Sequence, residues 1–283
     1  MLYIIGAGVV VISVLGGFLM EEGNLSVLFQ PAEFVIIGGA LIGSFLIASP
    51  MKVVRLVVKD LSGVLKTKSQ TKQGYLGLLH LLYKLFSKIR KEGLVSVEAD
   101  IENPASSPVF KQYGIGPHNK EIVDFICDNM KVIITTNVPA HELDSLMDLE
   151  IETRQDESLI PSKSVAKLAD ALPGLGIVAA VIGVVLTMGK IDQPPSVLGH
   201  SIGAALVGTF MGVLLSYGFM APLASNLEHR AKEGEIEFQV VKVAIVSFVG
   251  GAAPQIAVEF GRRAIPGKEC PTFSELERQV KMK

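Results

Sequence analysis

Long apolar segments without charge constrain this chain more than any other feature. Leu172–Gly189 and Leu198–Ala224 contain no Asp, Glu, Lys or Arg, and the turn between them holds one Lys and one Asp. About 20 predominantly apolar residues are enough to cross the hydrocarbon core of a bilayer. Met1–Met20 and Pro31–Ser49 have similar length and character. The sequence therefore predicts four membrane-spanning helices, called spans one to four below.

The polar segments show no strand-like alternation, so we expect an all-α integral membrane protein with a large helical cytoplasmic insert and a cytoplasmic helical tail. The expected domains are spans one and two (1–49), a cytoplasmic helical domain (50–170), spans three and four (171–224) and a cytoplasmic C-terminal helical segment (225–283).

The positive charges predict the orientation. Of the 26 Lys and Arg residues, sixteen lie in residues 51–170 and nine in residues 225–283, which leaves one for the two short linkers on the other face. Lys and Arg concentrate on the cytoplasmic side of membrane proteins. Both termini and the large insert are therefore expected in the cytoplasm.

One further apolar stretch, Val243–Val258, has no charge but is short for a span and is interrupted by Gly250, Gly251 and Pro254. A crossing here would move the basic C-terminal residues to the outer face, against the usual charge bias. We interpret the stretch as a cytoplasmic helical hairpin packed on the central domain.

The insert contains a helix pattern at Tyr75–Lys91, which we expect to stop at Gly93. Arg90 lies in its last turn, and Glu98 begins a short helix that Ser96 is expected to cap. The helix dipole alone explains the cation Arg90 at the C-terminus of the first helix and the anion Glu98 at the N-terminus of the second.

Small residues recur every fourth position in span four at Ala204, Gly208, Gly212 and Ser216, a spacing suited to close helix packing. Two interpretations stay open. In one, the hydroxyls of the spans bond to their own backbone. In the other, Thr209 and its neighbours line a hydrated path beside an acid that a partner supplies.

Three residues at span ends have simple explanations. Pro173 is expected in the first turn of span three, where a proline is tolerated, whereas Pro222 favours a kink if its helix continues. Glu33 is expected at the outer membrane interface, because it lies within about one turn of the start of span two. Both prolines are expected at the cytoplasmic edge of the membrane, where they would allow their helices to bend.

The chain contains no phosphate-binding glycine loop, metal-ligand cluster or nucleophile–base motif. Two cysteines far apart in sequence are too few for a disulfide framework or a zinc site. We therefore expect neither an enzyme nor a nucleic-acid-binding protein, and no cofactor or metal.

Four motifs carry a resemblance to a known family: ALVGTFMGVL at Ala205–Leu214 followed by Pro222, PGLGIVAAV at Pro173–Val181, QPAEFVIIGGA at Gln30–Ala40 and RKEGLVSVE at Arg90–Glu98. Over essentially its whole length, the chain resembles the A-subunit of the bacterial flagellar stator, the MotA family of the MotA/TolQ/ExbB proton-channel superfamily. The resemblance implies an inner-membrane subunit that conducts ions and drives the flagellar rotor.

The same resemblance implies partners and site residues. The family forms a ring, a pentamer, around a dimer of single-span MotB-type subunits whose Asp binds the ion, and it acts on a FliG-type rotor protein. By position, Pro173 and Pro222 match the residues that couple ion flow to movement, Thr209, Ala180 and Tyr217 match the ion path, and Arg90 and Glu98 match the rotor contact. Alanine where sodium-driven relatives carry Thr favours H+ over Na+.

Three other functions agree less well with the sequence. An ExbB/TolQ-type energiser of outer-membrane transport has three spans, with only one before its main cytoplasmic region, whereas two precede it here. A secondary transporter is disfavoured by the few spans and the absence of an internal repeat. A passive membrane scaffold would tolerate replacement of both prolines.

Overall fold

The computed structural model describes residues 2–63, 71–114 and 119–281, and their regular structure is entirely helical. This confirms the all-α expectation. Leu94–Val97 and Gly267–Glu269 form 3₁₀ turns, and Leu214–Met220 forms a π-helix. The α-helices are α1 (Leu2–Met20), α2 (Leu25–Leu28), α3 (Pro31–Ala48), α4 (Met51–Gly63), α5 (Lys72–Glu92), α6 (Glu98–Glu102), α7 (Pro108–Tyr113), α8 (Lys120–Thr136), α9 (Ala140–Met188), α10 (Pro195–Val213), α11 (Ala221–Val249), α12 (Pro254–Arg263) and α13 (Phe273–Lys281).

Among the described residues, four helical stretches are long and apolar enough to cross a membrane. They are Leu2–Met20, Leu25–Ala48, Ala140–Met188 and Pro195–Val249. Each includes nearly all of one of the four apolar segments identified above, so the four-span architecture is confirmed.

Spans three and four are parts of longer helices than expected. Helix α9 begins at Ala140, well before Leu172, and contains both Pro161 and Pro173 in its interior. The expectation that Pro173 occupies a first turn is therefore wrong. A proline removes one backbone hydrogen bond, but a helix continues through it when neighbouring groups satisfy the freed carbonyl.

The chain divides into two compact units. The membrane unit comprises Met1–Thr67 and Ser158–His229, and the second unit comprises Lys68–Glu157 and Arg230–Lys283. In the membrane unit, the buried face of α4 carries Val57, which is 2 % exposed and packs in a cluster with Val165 and Leu223. Helix α4 therefore has an apolar face on the unit and a basic remainder: Lys52, Arg55 and Lys59.

The second unit is built around α5, in which Phe86 and every leucine except the partly buried Leu76 are buried. Phe86 stacks on Phe248 with ring centroids 4.4 Å apart. The helix ends at Gly93, where a φ of 87° suits glycine and little else. This end was predicted from the sequence and is confirmed.

The apolar stretch Val243–Val258 lies in the core of the second unit. Ala244, Ile245, Ala257 and Val258 are all buried there. The chain reverses between α11 and α12 through Gly251, which has a φ of 97°. The predicted helical hairpin is confirmed, because these residues find their apolar environment inside the unit.

Candidate ion path and rotor-contact residues

Spans three and four touch along their glycines. A Cβ atom added to Gly212 would lie 2.6 Å from the carbonyl oxygen of Leu172 and 2.8 Å from the Cα of Gly176. A Cβ on Gly183 would lie 2.7 Å from the Cβ of Ala205. Contacts this short leave no room for a side chain, so these small residues allow close packing of the two helices.

The hydroxyl groups of the spans form two kinds of hydrogen bond, within one helix and between helices. Thr187 donates from Oγ1 to the carbonyl oxygen of Gly183 in its own helix, at 2.8 Å. Ser216, which is 2 % exposed, instead donates from Oγ across to the carbonyl oxygen of Ala169 in α9, just before span three, at 2.7 Å. Ala169 is four residues before Pro173, so its carbonyl lacks the usual N–H partner. Ser216 satisfies it.

A π-helix precedes the proline of span four. The N–H of Ala221 donates to the carbonyl oxygen of Ser216, five residues back, at the end of Leu214–Met220. Pro222 follows at once, inside a continuing helix. The wider π turn is a common accommodation beside a helical proline. Pro222 therefore interrupts the backbone bonding without ending the helix.

The three predicted ion-path residues have different surroundings. Ala180 is 9 % exposed, and its backbone N lies 3.0 Å from the position of a Cβ on Gly208. Thr209 is half-buried and is the next residue along span four. Tyr217 is 70 % exposed. The structure thus brings Ala180 and the backbone beside Thr209 together, whereas Tyr217 projects from the membrane unit.

Glu33 was expected at the outer membrane interface, but the structure places it in a buried position. It is only 7 % exposed, and its Oε2 atom is buried without a hydrogen-bond partner. That oxygen lies 2.7 Å from the position of a Cβ on Gly208. The start of span two therefore packs against the middle of span four, next to the contact of Gly208 with Ala179 and Ala180.

The rotor-contact candidates both belong to the second unit. Arg90 is exposed in the last turn of α5, and Glu98 is exposed at the start of α6. In the part of the chain that the structure describes, neither forms a salt bridge. Ser96 does not cap α6 as expected, because its hydroxyl donates back to the carbonyl oxygen of Gly93 at 2.6 Å.

An ion pair not identified from the sequence holds the segment between these two residues. Lys88 Nζ lies 2.8 Å from Oδ2 of Asp100, and Oδ1 of the same carboxylate accepts a 2.6 Å hydrogen bond from Ser107. Asp100 is buried. This ion pair connects α6 to α5. The sequence indicated it only by the presence of Asp100 in the short α6 segment.

The described residues contain no cluster of three or more His, Cys, Asp or Glu side chains that could hold a metal ion.

Comparison with known proteins identifies two family regions. The model of the motility protein A N-terminal region matches residues 4–93, and that of the MotA/TolQ/ExbB proton channel family matches residues 118–239. Motility protein A of Salmonella typhimurium is 43 % identical over 281 residues, which cover 99 % of this chain and 95 % of that protein. The Escherichia coli protein of the same name is 44 % identical over the same length.

Solved structures share the fold. The structure of C. jejuni MotAB matches with a TM-score of 0.78 at 19 % identity and covers 96 % of this chain and 98 % of the other. The flagellar MotAB stator complex from Bacillus subtilis matches with a TM-score of 0.71 at 24 % identity over 90 % and 92 %. The full-length relatives are motility proteins, which favours the stator over the ExbB/TolQ-type energiser. The chain belongs to the motility protein A family and is a flagellar stator subunit within the MotA/TolQ/ExbB proton channel family.

Proposed function

We propose that this stator subunit conducts H+ in a complex with a single-span MotB-type subunit, whose membrane aspartate binds the ion. The observation that carries the proposal is the surface of spans three and four. It contains no acid in residues 172–189 and 198–224, and its helices are in backbone contact at Gly176 and Gly212. Glu33 is enclosed behind Gly208. A carboxylate exposed on this surface must therefore come from another chain.

The proposed choice of H+ over Na+ rests on oxygen ligands. A dehydrated Na+ ion needs several oxygen atoms to replace its hydration shell. The side chains of Ala179 and Ala180 offer none. Thr209 is one hydroxyl, too few for a sodium site but sufficient to bind a water in a proton path.

We further propose an inner-membrane orientation with both termini in the cytoplasm. The distribution of Lys and Arg supports it. So does α4, which follows the end of span two with an apolar face on the unit and three basic residues elsewhere. Amphipathic basic helices of this kind lie at the anionic cytoplasmic surface of a bilayer.

The proposed assembly is the one the family pattern implies: five copies of this chain around two MotB-type subunits, acting on a FliG-type rotor protein. Exposed charges at Arg90 and Glu98 support a rotor contact in the second unit, because an ion pair holds the segment between them. Pro173 and Pro222 are proposed to couple ion binding to movement, since each interrupts a membrane helix that continues on both sides.

Reconstitution into liposomes tests the proposal. Proteoliposomes that contain this chain and its single-span partner should show H+ flux that is unchanged when Na+ is removed. The flux should disappear when the partner's membrane aspartate is replaced by asparagine, and liposomes with this chain alone should conduct negligibly. Robust H+ flux through the chain alone, or flux that depends on Na+, would contradict the proposal.

A further inference from the structure

We propose that Glu33 is a second proton-binding site, contributed by the A-subunit itself, which exchanges protons beside the path that the partner's aspartate serves. The inference rests on the proposed H+ conduction and adds a group that the comparison with the family does not supply. It is carried by the depth of the Glu33 carboxyl group, its burial and its unpartnered oxygen.

The depth follows from the neighbours of Glu33. A single point, the Cβ position on Gly208, lies 2.7 Å from Oε2 of Glu33, 3.0 Å from the Cβ of Ala179 and 3.0 Å from the N of Ala180. Ala179 and Ala180 are at the middle of the apolar segment 172–189. The first turn of span two therefore lies near mid-membrane, not at the membrane edge.

The linker before span two lies at the same level. Leu25, Leu28 and Phe29 line a cavity of about 290 Å³ together with Phe210 and Met211 of span four. These two residues follow Gly208 by less than one turn. The linker therefore lies along span four below the membrane surface. Because α3 starts at that depth, Glu33 is buried in the membrane even though it is within one turn of the helix start.

The chemistry of the site suits a group that gains and loses a proton. An ionised carboxylate without a partner is costly at this depth, which favours the protonated acid. The carboxyl group also belongs to the first turn of α3, where the helix dipole favours the negative charge. The dipole therefore offsets part of the cost of ionisation that burial imposes. The side chains of Ala179 and Ala180 supply no oxygen ligand beside Glu33, which favours H+ over a metal cation at this site.

Few other titratable groups face Glu33. Span three has none in residues 172–189. Span four has His200 and Tyr217, which are eight and nine residues from Gly208 and so more than two helical turns away. Span one has Tyr3, which donates its hydroxyl to Phe219 instead. The linker has Glu21 and Glu22, both exposed.

The test compares H+ flux as a function of external pH in proteoliposomes that contain the complete two-subunit complex. The variants are E33Q, which keeps the shape but cannot ionise, E33D, which keeps the acid on a shorter stem, and E21Q, a matched control in the exposed linker. We expect E33Q to lower the flux at least threefold and to flatten its dependence on external pH. E33D should retain that dependence with a shifted midpoint, and E21Q should match the parent.

Each alternative result decides the question. E33Q flux equal to the parent at every pH would overturn the proposal. So would an equal reduction by E33Q and E33D with an unchanged pH profile, because that result indicates packing alone. If E33Q fails to assemble, E33D decides: a shifted midpoint supports the proposal, and an unshifted one overturns it. Absence of H+ flux in the parent complex would instead refute the proposed conduction.

Discussion

The hydroxyl group of Ser216 donates a 2.7 Å hydrogen bond to the carbonyl oxygen of Ala169, the acceptor that Pro173 leaves without its helical partner. An interior proline costs a helix roughly 3 kcal/mol when nothing compensates. Here a side chain from span four supplies the missing donor to α9. Span four is therefore hydrogen-bonded to α9 at the turn where Pro173 removes a backbone bond.

We predict that S216A destabilises the membrane unit by roughly 1–3 kcal/mol, because the Ala169 carbonyl becomes a buried acceptor without a donor. Thermal unfolding of the purified complex measures the loss. The effect should be much smaller in a P173A background, since alanine restores the N–H that bonds to Ala169. Equal losses in both backgrounds would show that Ser216 and Pro173 are not coupled through this carbonyl.

A second prediction concerns the contact between spans three and four. Replacing Gly212 with Ala places a methyl group 2.6 Å from the carbonyl oxygen of Leu172, where only backbone movement makes room. We expect G212A to abolish motility and to lower the yield of complex. G199A on the same helix is the control, because a Cβ there has no neighbour within 4 Å. A motile G212A strain with normal complex would contradict the close approach.

These contacts show which parts of the molecule follow from sequence patterns. The spans and the end of α5 at Gly93 were predictable because apolar length and a glycine C-cap are local properties. The position of Glu33 was not, because its depth depends on a linker that packs on Phe210, far along the chain. The helix through Pro173 depends in the same way on Ser216. A signal for Glu33 existed, since it shares a helical face with the buried Ile37.

A third prediction follows from His80 of α5, which is buried with Nδ1 unpartnered. Burial lowers the pKa of His80, the nearby Lys84 charge lowers it further, and a backbone hydrogen bond at Gln279 acts in the opposite sense. In the unfolded chain His80 has the ordinary pKa of 6.5, so it binds a proton at a pH where the folded chain keeps it neutral. The contribution of neutral His80 to the free energy of unfolding should therefore be fully present above pH 6.5 and should decrease as the pH drops below it.

Thermal unfolding between about pH 7.5 and about pH 5.5 checks the His80 prediction, since this range spans the ordinary histidine titration. We expect H80Q to lose less stability on acidification than the parent protein. H141Q replaces an exposed histidine and should behave as the parent does. If all three proteins respond equally to acid, the buried His80 is not the group that titrates.

The last prediction separates rotor contact from helix electrostatics at Arg90 and Glu98. Reversing Arg90 at the end of α5 costs about 0.3–1 kcal/mol through the helix dipole, whatever it touches. K91E carries the same cost in the same turn, so it is the matched control. We expect R90E and E98K to reduce swimming torque while the complex still co-purifies, and the K91E strain to swim nearly normally.

Opposite-sign changes on the rotor protein should restore part of the torque that R90E or E98K removes. Full motility of the R90E/E98K double variant on an unaltered rotor would mean that these charges serve only their helices.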